Sequence, residues 1–150
     1  MSQSVAHERI AQVGETGQGK FLNAVRIGPH RMLADEPVSV GGDGLGPDPY
    51  EFVLAGLGAC TSMTIRMYAE RKGWPLLRVA VRVRHAERMA AGAPKDVFER
   101  VIHLEGDLSQ EERDRLMDIA ERCPVSRTLS AGSTVTSRLA DDPPPGEGAG

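Results

Sequence analysis

Residues Pro49 to Lys72 read as one long helix that is apolar on nearly every side, and this constrains the fold more than any other stretch. Asp48 suits the cap, Pro49 the first helical position, and Gly73 with Pro75 the stop. Val53, Leu57, Cys60, Thr64 and Met67 share one face; Phe52, Ala55, Ala59 and Met63 form the neighbouring stripe. Only the last turns, with Arg66, Glu70, Arg71 and Lys72, become polar. Such a helix must be enclosed on most sides, either by sheet from its own chain or by a second subunit. Gly56 and Gly58 weaken it but permit close approach of another backbone. Glu51 and Arg66 interrupt the run before it reaches the ~20 apolar residues of a membrane span.

The rest of the chain supplies the sheet. Arg9–Val13, Lys20–Ile27 and His30–Ala34 read as short strands, parted by turn-forming Gly14–Gly19 and Gly28-Pro29. Gly41–Asp48 is a glycine-rich loop, but no phosphate-binding pattern follows it, so it is expected to lead into the helix cap. Leu77–Glu87 alternates, with Leu77, Val79, Val81 and Val83 inward and Arg78, Arg82 and Arg84 outward. A loop at Ala90–Pro94 leads to Val97–Glu105, with Phe98, Ile102 and Leu104 inward and Glu99 and Glu105 available to Arg82 or Arg84. Ser109 and Glu112 form a capping box for a helix that buries Leu116, Ile119 and Ala120. Cys123-Pro124 either breaks that helix or opens a short one through Leu129. Ser133–Leu139 is expected to close the domain as a strand, and Trp74 to pack at the end of the long helix. These elements make one α+β domain over residues 1–140, followed by a disordered tail at 141–150.

Composition narrows the function. The 150 residues are 40% hydrophobic and 26% charged, with a net charge of −3 and no basic block, which speaks against nucleic-acid binding. No secretory signal opens the chain, so a cytoplasmic setting is expected, where two cysteines are free or redox-active rather than a permanent bridge. Cys60 and Cys123 lack the paired spacings of a zinc site, and His7, His30, His85 and His103 are scattered. No Gly-x-Ser-x-Gly elbow is present.

Each cysteine has two readings. Cys60 on an apolar helix face is either a small core residue or a nucleophile, and burial alone raises a thiol's pKa. Activation then requires a base or cation, for which Lys20, Arg26, His30 and Arg31 are candidates. Cys123 is either an idle helix-end residue or the cap of a helix begun by Pro124, where the dipole favours thiolate.

The run Gly46-Pro47-Asp48-Pro49-Tyr50-Glu51-Phe52 through Ala59-Cys60, followed downstream by Cys123-Pro124-Val125-Ser126, resembles the OsmC/Ohr family of thiol-dependent organic hydroperoxide reductases. The resemblance spans about Ile10 to Leu139. It implies an α+β fold in which two chains intertwine as a homodimer, with the long helix buried against antiparallel sheets. It also implies a peroxidatic Cys60 and a resolving Cys123, an organic hydroperoxide as substrate, an external dithiol as reductant, and no metal or organic cofactor. Family members use a glutamate and an arginine to activate the thiolate. The glutamate position is occupied here by Tyr50 with Glu51 adjacent, and the arginine falls to Arg26 or Arg31. The alternative on the same fold is a non-catalytic protein that binds a small molecule or senses redox state.

Overall fold

The computed structural model describes residues 8–90 and 93–142. These fall into two compact units: 8–49 with 137–142, and 50–136. The architecture is mixed α and β with antiparallel sheets and one long helix.

The first unit is a three-stranded meander, β1 (Gln12–Glu15), β2 (Asn23–Ile27) and β3 (His30–Ala34), in the order β1-β2-β3. The two earlier strands are shorter or later than the sequence pattern suggests, because Thr16 and residues to Leu22 form a turn closed by the Thr16 N–H to Leu22 carbonyl bond, 3.1 Å. Leu22 and Val25 are buried. After β3, buried Asp35 accepts hydrogen bonds from the N–H groups of Glu36 (2.8 Å), Leu45 (3.1 Å) and Asp43 (3.2 Å). The glycine-rich loop is thus folded around the chain's own carboxylate. Gly42 and Gly46 are required there, since a Cβ on either would collide with the backbone at Glu36 or Leu33.

The second unit contains the helix α1 (Pro49–Lys72), then the hairpin β4 (Leu76–Ala90) and β5 (Ala93–Gly106), and the helices α2 (Gln110–Ala120) and α3 (Pro124–Ala131). The sequence-derived bounds of α1 hold at both ends. Its C-terminus is a Schellman turn: Gly73 at φ +68° donates to the Glu70 carbonyl, and Trp74 to that of Ala69. Trp74 then packs edge-on to Tyr68 beside a core of Ile65, Ala69, Leu76, Leu104, Leu116 and Ala120.

The buried stripe of α1 is Leu57, Thr61, Ile65 and Ala69, not the one expected. Of the predicted face only Leu57 is buried; Val53 and Met67 are exposed, the latter 62%, as is Met63 at 63%. Within the single chain one side of α1 meets the hairpin and α2, while the second apolar side has no cover from this unit. Gly58 does permit a close approach, by the Val83 side chain, whereas Gly56 faces open space. One 18-residue window of α1 reaches a mean hydropathy of 1.2, enough by length and composition for a membrane span. Its stripe in the core identifies it instead as a packing helix.

In the hairpin, Val79, Val81 and Val83 alternate with exposed Arg78, Arg82 and Arg84 as expected, but Leu77 does not point inward. A register shift between Leu76 and Arg78 turns Leu76 into the core and leaves Leu77 72% exposed. Arg66 fixes this bulge by donating to the carbonyls of Leu76 (2.7 Å) and Leu77 (3.1 Å). Glu99 pairs with Arg84, while Glu105 lies opposite Arg78. The ladder continues to Ala90 opposite Ala93; the expected loop residues Ala91 and Gly92 lie outside the described residues, as does most of the expected tail, 143–150. The capping box of α2 is present in both directions, Ser109 Oγ accepting from the Glu112 N–H and Glu112 from the Ser109 N–H. Ser133–Leu139 is not a strand: it makes no ladder with any described residue, and Val135 and Leu139 stand exposed. High strand propensity without a partner edge does not make a strand.

Candidate functional site

Cys60 and Cys123 meet inside the second unit. Cys60 is half-buried on α1; Cys123 is fully buried at the N-cap of α3, with Pro124 at the first helical position, which is the capping alternative of the sequence reading. Both are free thiols: the Cys123 sulfur lies 3.8 Å from the hydroxyl of Thr61, the residue that follows Cys60 on α1, and each thiol acts on the ionisation of the other.

The two sulfurs are electrostatically unequal. Burial pushes the Cys60 thiol above its ordinary range, and the hydrogen bond with Cys123 pushes it further, against smaller opposing contributions from the Val125 N–H and the Thr64 hydroxyl. Burial also acts against a charge on Cys123. There it is outweighed by the Cys60 thiol, the Ser126 N–H, the Thr61 hydroxyl and the Val125 N–H, so Cys123 lies below the ordinary thiol range. The first turn of α3 therefore acts on the pair through its amides.

Two further residues complete the surroundings. Thr61 Oγ1 lies 3.8 Å from Cys123 Sγ and 2.7 Å from the Leu57 carbonyl. Arg100, on β5, donates through Nη1 to Thr61 Oγ1 (3.1 Å) and the Ala120 carbonyl (2.9 Å), and through Nη2 to Glu121 (3.2 Å). Neither residue was singled out from the sequence. The signal for Arg100 was present, however: Phe98, Arg100, Ile102 and Leu104 share the inward period of β5, so a charge stands where an apolar side chain belongs.

A cavity of mixed character, about 690 Å³, adjoins this cluster: Leu57, Phe98 and Ile102 line it together with Lys95, Asp96, Arg100 and Glu121, and neither cysteine is among its lining residues. His85 is stacked between Tyr50 and Phe98, at ring-centroid separations of 4.4 and 4.9 Å, and bonds Asp96 at 2.7 Å. Tyr50 thus packs on the hairpin.

The remaining sequence-derived candidates belong to the first turn of α1 and to the N-terminal meander. Glu51 is in the first turn of α1, nine positions before Cys60. Helix geometry puts it about 13.5 Å away along the axis and about half a turn round. Arg26 and Arg31 belong to the N-terminal meander, where they face each other across β2 and β3. Both line a cavity of about 380 Å³ together with Gln12, to which Arg26 is hydrogen-bonded. Lys20 lies over the Phe21 ring at 5.0 Å, and His30 opposes Ile27. Among the described residues no group of His, Cys, Asp and Glu is gathered as a metal site.

A family model described as OsmC-like protein matches residues 41–138, which include both cysteines. The chain belongs to the OsmC family. Solved structures share the fold of this OsmC-family chain at low identity. An organic hydroperoxide resistance protein OsmC from Legionella pneumophila is 24% identical, with 82% of this chain and 89% of that one covered at a TM-score of 0.64. An OsmC-like protein from Mycoplasma pneumoniae is 18% identical over 85% and 89%, TM-score 0.66. An organic hydroperoxide resistance protein from Elizabethkingia anophelis, crystallised with thiocyanate, is 18% identical over 85% and 91%, TM-score 0.63. No curated protein matches the sequence.

Proposed function

We propose that this OsmC-family chain is a cytoplasmic, homodimeric thiol peroxidase that reduces organic hydroperoxides. The observation that carries the reading is the contact between two free thiols drawn from distant parts of the chain. In this reading a Cys60 thiolate attacks the terminal peroxide oxygen, the O–O bond breaks, and an alcohol and a Cys60 sulfenic acid result. Cys123 then attacks the oxidised sulfur, releasing water and forming a disulfide that an external dithiol reopens. Neither step calls on a metal or an organic cofactor. The greater exposure of Cys60 suits it to meet the peroxide, and burial of Cys123 suits it to the second step. The apolar groups of the neighbouring mixed cavity, Leu57, Phe98 and Ile102 among them, would favour alkyl or aryl peroxides over hydrogen peroxide, since apolar area gains about 25 cal/mol per Å² on burial. Arg26 or Arg31 is proposed as the cation from the meander, and Glu51 as its orienting carboxylate. Met63 and Met67 on the open side of α1 support the homodimer, because a large apolar face on a helix calls for a partner.

The test is direct. Cumene hydroperoxide added to reduced protein should consume both thiols as an intramolecular disulfide. Cys60→Ser should abolish the reaction, and Cys123→Ser should leave a sulfenic acid that a dimedone-type reagent traps. Thiols unchanged at excess peroxide reject catalysis and favour the ligand-binding or redox-sensing alternative.

A further inference from the structure

The groups able to stabilise a negative charge converge on Cys123, the less accessible of the two sulfurs. Cys60 donates to it from α1, and the N–H groups of Ser126 and Val125 face it from α3. Behind Thr61 stands Arg100 from β5, whose side chain is only 10% exposed and whose other partners are the Ala120 carbonyl and Glu121 at the end of α2. An arginine keeps its charge even when buried.

Thr61 is the connecting element. A hydroxyl has one proton and two lone pairs, and here one lone pair receives Arg100. The single proton must then choose between the Leu57 carbonyl at 2.7 Å and the Cys123 sulfur at 3.8 Å. With a neutral sulfur the carbonyl is the better acceptor. A thiolate reverses that preference, because a hydrogen bond to an ionised acceptor is roughly twice as strong. The Leu57 carbonyl is not orphaned by the change, since in the helix it also accepts the Thr61 N–H.

We propose that Arg100, Thr61 and the first turn of α3 form an anion-holding relay around Cys123, through which Cys123 accepts the Cys60 proton before it becomes the disulfide-forming sulfur. The proposal deepens the peroxidase reading and rests on it. Cys123 S⁻ takes the proton from Cys60 S–H, and Cys60 S⁻ attacks the terminal oxygen of ROOH. The O–O bond breaks, leaving Cys60–SOH and RO⁻. The alkoxide takes from Cys123 the proton that came from Cys60 and leaves as ROH. The regenerated Cys123 S⁻ attacks the Cys60 sulfur, forms the S–S bond and expels hydroxide. The two sulfurs together supply the two electrons that reduce the peroxide. Thr61 and Arg100 are positioning residues, acting on the reaction through Cys123.

The experiment uses the full chain carrying Cys60→Ser, in which Cys123 is the one remaining cysteine. Its thiolate is followed by ultraviolet absorbance against pH, with circular dichroism as the check on folding. Adding Thr61→Val should raise the midpoint so that the thiolate fraction near neutral pH falls about three- to tenfold, a shift of up to about one pKa unit. Thr61→Ser should restore the original midpoint, and Arg100→Gln should move it upward. In the chain with both cysteines, Thr61→Val should displace the pH profile of peroxide-driven disulfide formation in the same direction. A midpoint that Thr61→Val leaves unchanged overturns the relay, and the Val/Ser pair decides the matter alone should Arg100→Gln not fold. Rapid peroxide consumption with an unmoved midpoint sinks the relay but not the peroxidase. A moved midpoint without peroxide consumption sinks the peroxidase and, with it, the catalytic use of the relay.

Discussion

Asp35 and Cys123 are buried acids held by the same device, backbone N–H groups aimed at the atom that carries the charge. For Asp35 the Leu45 N–H is the largest influence; burial opposes it, and Glu36 and Asp43 assist, so its carboxyl lies below the ordinary 3.8. The unfolded chain therefore binds this proton more readily than the folded one. The stabilisation is complete above 3.8 and disappears as pH falls through the depressed folded value. Urea midpoints measured from neutral pH downward should show it: Asp35→Asn lies below the parent at neutral pH, and the gap narrows in acid. A constant gap would refute the linkage. The thiols make a second prediction. Because one is pulled down and the other up while they share a hydrogen bond, the native protein should deprotonate in two macroscopic steps on either side of the ordinary thiol value of 9.0. A single step at 9.0 would contradict the coupling. The sequence offers Cys123-Pro124 as a cap, beside the alternative of a helix break, because capping is local. It does not show that Thr61 and Arg100 meet there, since that contact depends on how β5 crosses α1.

Among the elements, α1 carries the fold through a narrow stripe. Ile65 and Leu116 are fully buried in one cluster, so Ile65→Ala should cost about 2–5 kcal/mol in denaturant unfolding. Ser109→Ala, which removes the cap of α2, should cost about 1 kcal/mol and leave the thiol chemistry intact. A loss from Ile65→Ala no larger than that from Ser109→Ala would mean that this stripe is not the core. Element ends were legible wherever a side chain or a glycine sets them locally, as at Pro49, Gly73 and Ser109. Legibility failed where a partner decides. Ser133–Leu139 has the composition of a strand but pairs with none of the described strands, Leu77 is displaced by a bulge that a two-residue period cannot register, and the buried side of α1 is chosen from two apolar sides by what packs on it.

At the scale of the whole molecule, that second apolar side is one the described residues leave exposed. Val53, Met63 and Met67 stand exposed on α1, and successive 100° steps put them on the side that carries Cys60. A patch of this kind beside a thiol is ill suited to open water, because bulk water both hydrates the apolar groups and competes for the groups around the sulfur. A second copy docked there would lower both costs, which ties assembly to chemistry and not only to stability. Light scattering should accordingly give twice the chain mass at micromolar concentration. Met63→Glu with Met67→Glu should reduce it to the monomer mass, and peroxide-driven disulfide formation should slow with dissociation, while Leu77→Glu on the exposed bulge should change neither. A wild-type protein that is monomeric at every concentration, yet forms the disulfide rapidly, would separate the two and show that this face serves another purpose.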